Sequence, residues 1–116
     1  MESLEKKIQN AANLYKLRKF SEAEIISKKL ISKHPKIPFL LNLLGLIMME
    51  KRDYKEAMYY YNQCIKIQPN NANVYNNLGT LYKAKNEYTK AETYYKKSIE
   101  LDKKIIEPQN NLGSLY

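Results

Sequence analysis

Apolar positions recur three and four residues apart in blocks along this chain, and short polar interruptions separate the blocks. Val74, Tyr75, Leu78, Leu81 and Tyr82 share one helical face, "KAKNE" interrupts, and Tyr88, Ala91, Tyr94, Tyr95 and Ile99 resume the same period. Earlier, "KRDYKEA" separates two such blocks, and Asp53 with Glu56 three residues on forms a capping-box pattern at the returning helix. The longest apolar stretch, "IPFLLNLLGLIMM", holds thirteen residues with Asn42 among them. It falls short of the ~20 residues a membrane-spanning helix needs and reads as a buried helix. The pattern predicts seven helices, near 3–17, 21–33, 38–50, 54–67, 72–84, 88–101 and 106–116, and no strand.

The blocks repeat. "NNLGTLY" at Asn76 to Tyr82 returns as "NNLGSLY" at Asn110 to Tyr116, thirty-four residues later. At that spacing Ala11, Gly45, Gly79 and Gly113 form one column, Phe20, Tyr54 and Tyr88 a second, and Ala23, Ala57 and Ala91 a third. Ser27, Tyr61 and Tyr95 form another, and Pro35 and Pro69 stand near unit ends. Three helix-turn-helix units follow, 4–37, 38–71 and 72–105, with a partial fourth at 106–116, all within one domain spanning 1–116. Small residues in the Gly and Ala columns let paired helices approach, and the Tyr and Leu columns fill the space between them. Leu112, Leu115 and Tyr116 carry the core pattern without a second helix to cover them. The chain therefore reads as a fragment of a longer array, able to self-associate weakly through its last helix.

These columns resemble the tetratricopeptide repeat, whose signature runs W-x2-L-G-x2-Y, then A-x3-F, then P. Tyr75, Leu78, Gly79, Tyr82, Ala91 and Tyr95 fill its slots in the third unit, with tyrosine in place of Trp and Phe. Leu41, Leu44, Gly45, Met48, Ala57, Tyr61 and Pro69 fill them in the second. The first unit departs most, placing Lys7 and Asn10 in apolar slots, as suits a terminal repeat with one face in water. The resemblance implies an all-α, right-handed α-solenoid whose first helices line a concave groove for an extended peptide or a partner helix. Carried over slot by slot, the groove residues are Phe39, Asn42, Leu43 and Leu46 from the second unit. Asn73, Asn76, Asn77 and Thr80 come from the third, and Asn110 and Asn111 from the fragment.

Asn77 and Asn111 stand one period apart, each before a Leu-Gly pair, and are similar to the asparagine ladder in the repeat arm of O-linked N-acetylglucosamine transferases. A side-chain amide offers donor and acceptor together, so it can pair with one peptide unit whatever its side chain. Two roles stay open: a free-standing peptide-binding scaffold, or the substrate-recruiting arm of a larger transferase. The clamp with which chaperone-binding members hold a C-terminal carboxylate does not carry over. Its slots hold Ile8, Ala12, Leu43, Asn73 and Asn77 in one frame and Asn42, Leu46, Asn77, Glu107 and Asn111 in the other, with no cation in either.

Charge and chemistry narrow the picture further. The chain of 116 residues carries a formal charge of +8, which raises nucleic acid or acidic membrane as partners. The groove slots of the second and third units and the fragment hold Lys83 against Glu50 and Glu107, so the excess belongs to other faces, which leaves basic-surface binding to nucleic acid or acidic membrane as a lesser alternative, with no membrane insertion expected. His34 is the only histidine and precedes Pro35, as an exposed turn residue does. Cys64, the only cysteine, shares a column with Leu30 and Ser98 and reads as core. No catalytic cluster, metal spacing or phosphate loop stands out, so no enzyme activity, cofactor or metal is expected. A lone cysteine and a polar N-terminal stretch suit a soluble protein of a reducing, cytoplasmic compartment.

Overall fold

The computed structural model describes residues 2–104 and 107–115 and is all-α among them. Seven helices run in chain order: α1 (Leu4–Lys16), α2 (Phe20–Lys33), α3 (Pro38–Glu50), α4 (Tyr54–Ile67), α5 (Ala72–Ala84), α6 (Tyr88–Leu101) and α7 (Glu107–Gly113). The first six match the pattern's expectation to within a residue at each end. For α7 the expected span was 106–116, and the helix stops at Gly113. Glycine is a poor helix former, and Ser114 turns its hydroxyl back to the Asn111 carbonyl at 2.8 Å. Ile106 and Tyr116, the expected ends of that helix, lie outside the described residues, as does Ile105.

The chain gathers into two compact units, Met1–Ile67 and Gln68–Tyr116. In the first, α1 packs on α2, α3 on α4, and α3 also rests on α2 and the edge of α1. In the second, α5 packs on α6 and α7 rests on both. Thus α7 stands to α5 and α6 as α3 stands to α1 and α2.

Local sequence explains four of the helix starts. Ser3 caps α1 by accepting the Lys6 N–H at 3.1 Å, and Asn71 caps α5 by accepting the Val74 N–H at 3.3 Å. Asp53 accepts the Glu56 N–H at 3.2 Å, which is the expected half of the capping box. Pro38 opens α3, where its missing N–H costs nothing.

The turn inside each helix pair is the same device three times. Arg18, Arg52 and Asn86, thirty-four residues apart, hold φ of 61°, 62° and 63°. Around Arg52, its own N–H reaches the Met49 carbonyl at 3.0 Å and the Asp53 N–H reaches Met48 at 2.9 Å. The same two bonds recur at Arg18 and Asn86, so all three first helices end in a Schellman motif. Such a position favours glycine, and none of the three has it.

The helix pairs close through the Gly column. A Cβ on Gly45 would stand 2.3 Å from Tyr61, and one on Gly79 2.5 Å from Tyr95. In the first repeat the two columns hold Ala11 and Ser27, both fully buried, one larger than the glycine of its column and the other smaller than the tyrosine of its own. A second cross-link uses the column of Cys64 and Ser98. Cys64 Sγ donates to the Pro38 carbonyl at 3.4 Å, and Ser98 Oγ donates to the Ala72 carbonyl at 2.7 Å, twenty-six residues back in each case.

Candidate functional site

On α3, Phe39, Asn42, Leu43 and Leu46 follow one another at helical spacing, but the structure does not treat them alike. Phe39 is 54% exposed, the largest open ring on that helix, while Asn42 and Leu46 are half-buried. Leu43 is only 4% exposed and belongs to the interior, a correction to its expected place on an open face. The reason is the composition of α3. Its apolar residues run almost all the way round, so the helix is packed on more than one side, by α1, α2 and α4 within its own unit.

In the second unit the amide residues form a connected group. Asn76 is 4% exposed, donates through Nδ2 to Glu107 Oε2 at 3.3 Å, and accepts from Asn111 Nδ2 at 3.1 Å. It therefore ties α5 to α7 and is not open for a ligand, a second correction to the expected groove. A buried amide must be paired, and these bonds satisfy it. Thr80 donates to the Asn76 carbonyl at 3.2 Å or shares its proton with Tyr95 Oη at 3.0 Å. Lys83 reaches Ser114 Oγ at 2.7 Å, a second link from α5 to the end of α7. Asn73, Thr80 and Asn110 remain exposed, and Asn77 and Asn111 are half-buried.

The ladder expected from Asn77 and Asn111 is thereby altered, because one amide N–H of Asn111 is committed to Asn76. What the sequence did not reveal is the role of Glu107 as a partner for a buried amide. Its signal was a carboxylate one period after Asn73, too weak to interpret alone. The exposed His34 and the buried Cys64 occupy the places expected of them. Burial pushes the Cys64 thiol up to about 11, the reverse of what an activated nucleophile needs. Among the described residues no group of His, Cys, Asp and Glu could hold a metal ion, and no helix is long and apolar enough to cross a membrane.

The periodic helix pairs agree with the comparison against known families, in which the tetratricopeptide repeat model matches residues 40–104. The chain belongs to the tetratricopeptide repeat (TPR) family. Solved TPR domains resemble it closely in fold. The first TPR of Spaghetti (RPAP3), bound to the HSP90 peptide SRMEEVD, aligns with a TM-score of 0.88 at 18% identity, over 97% of this chain and 89% of that one. MamA aligns at 0.87 and 19%, over 98% and 67%. The Sgt2 TPR domain from Aspergillus fumigatus aligns at 0.88 and 15%, over 99% and 78%. No curated protein sequence matches. At these identities the likeness speaks for the fold.

Proposed function

We propose that this TPR chain is a non-catalytic protein interaction module that binds extended peptides on the open faces of its first helices. The observation that carries the reading is Phe39, an aromatic ring more than half exposed at the start of α3, with Asn42 and Leu46 following along the same face. A large exposed apolar side chain beside a polar amide suits recognition of a bulky side chain and its adjoining peptide unit. In the second unit Asn73, Asn77, Thr80 and Asn110 offer mostly backbone-directed contacts with little demand on sequence. The peptide held by the RPAP3 domain supports the kind of partner and not its identity.

The ligand differs in chemistry from an acidic C-terminal tail. The clamp positions hold no cation, and Glu107 adds a carboxylate among them. A transferase-arm role draws no support from the family match, and the commitment of Asn111 to Asn76 weakens the asparagine ladder that resembled such an arm. Peptide-display selection against the chain tests the reading. Recovered ligands should share a bulky apolar residue, and Phe39→Ser with Leu46→Ser should weaken them by roughly tenfold or more. Ligands indifferent to both changes would remove α3 from the binding face.

A further inference from the structure

The first unit holds a cleft of about 360 Å³ between α1 and α2, away from the face of α3 just described. Leu4, Ile26 and Leu30 form its floor, and Lys7, Lys29, Lys33 and His34 stand around its rim with Glu2 and Asn10. We propose that this cleft is a docking site for an acidic peptide segment carrying an aliphatic anchor residue.

Three observations carry the assignment. The rim is unbalanced, because three lysines face a single carboxylate, and Glu2 already accepts from Asn10 Nδ2 at 2.8 Å. Among the described residues no carboxylate lies within salt-bridge distance of Lys7, Lys29 or Lys33, whereas Lys28, next in sequence to Lys29, pairs with Glu24 at 2.7 Å. Finally, Lys7 and Asn10 occupy slots that are apolar in the other two complete repeats, so this end of the helix pair has exchanged packing surface for charge.

The shape selects among anionic partners. Apolar atoms lie at the bottom and cations at the edge, so an occupant must insert a side chain to use both. A lipid surface is flat at this scale and would reach the lysines alone. The volume is near the lower end of the ~300–1,000 Å³ typical of ligand pockets, enough for an anchor side chain and its neighbours. Lys29 and Lys33, one helical turn apart on α2, would meet acidic residues flanking that anchor.

Fluorescence anisotropy tests the proposal with a labelled octapeptide, Asp-Glu-Glu-Leu-Ile-Glu-Asp-Leu. Its affinity should fall roughly tenfold in the Lys29→Glu, Lys33→Glu double variant, and Lys55→Glu with Lys66→Glu, an equal change of net charge on α4, should leave it within about twofold. Replacing the Leu and Ile residues of the peptide by Ser should also abolish binding. Circular dichroism melts would confirm that both double variants fold, since all four lysines are exposed. Equal weakening by the two double variants would reduce the effect to net charge and overturn the site. So would retention of the Ser-substituted peptide, or binding of phosphatidylserine vesicles without binding of the peptide.

Discussion

Gly45 lies against the ring of Tyr61 so closely that a methyl group on the glycine would stand 2.3 Å from the ring edge. Helix α3 meets α4 at that point, and Gly79 meets Tyr95 in the same way at the α5 and α6 contact. Gly113 has nothing within 4 Å of its would-be Cβ. Three glycines of one sequence column thus have two different physical roles. Gly45→Ala and Gly79→Ala should each cost about 1–3 kcal/mol by overpacking, while Gly113→Ala should be neutral or slightly stabilising. Urea titrations of the three variants check the contrast.

The two buried tyrosines that meet Gly45 and Gly79 predict opposite responses to the same change. Tyr95 Oη pairs with Thr80, while Tyr61 Oη is buried without a hydrogen-bond partner among the described residues, its repeat-equivalent neighbour being Leu46. Tyr95→Phe should lose about 0.5–1.5 kcal/mol, and Tyr61→Phe should be neutral or stabilising, since it deletes an unsatisfied hydroxyl. Denaturation midpoints measured side by side decide it.

How much of this was readable beforehand follows from what repeats. Helix positions and the Gly45 and Gly79 contacts were legible because residues thirty-four apart meet the same neighbours, so each column is read three times. The fates of Leu43 and Asn76 were not legible. A slot rule places both on an open face, but burial depends on particular partners. Leu43 sits in a helix apolar nearly all round, and Asn76 has Glu107 and Asn111 within reach. Nothing in a column reports a bond between α5 and α7. The cleft at α1 and α2 was visible only as a departure, in Lys7 and Asn10.

Arg52 sits at φ 62°, in the left-handed region that costs a non-glycine residue roughly 1–2 kcal/mol. Arg52→Gly should therefore stabilise the chain by roughly 0.5–1 kcal/mol after the added flexibility of the unfolded chain is counted. Arg18→Gly should gain less, because Arg18 also approaches Glu50 at 3.9 Å and lies 5.1 Å above the Phe20 ring. Thermal melts of the two variants should rank them in that order.

Alkaline pH should destabilise the fold in two steps. Burial pushes the Cys64 thiol from 9.0 up to about 11, so the native state keeps a proton that the unfolded chain releases. Its contribution is intact below pH 9 and is lost as pH rises toward 11, at about 1.4 kcal/mol per pH unit. Tyr61 and Tyr95 are raised from 10.0, chiefly by burial, so their contribution begins to fall only past pH 10. Cys64→Ala should shift the onset of the decline by about one pH unit, from that of the thiol to that of the tyrosines. Urea unfolding at stepped pH measures it.

Amide chemical-shift mapping by NMR tests peptide binding at the open face of α3 most directly. Titrating the isotope-labelled chain with a peptide selected by display should perturb Phe39, Asn42 and Leu46 first. The interior amides of α4 should change least. Perturbations confined to α2 and α4, with Phe39 and Leu46 unmoved at saturation, would contradict the account.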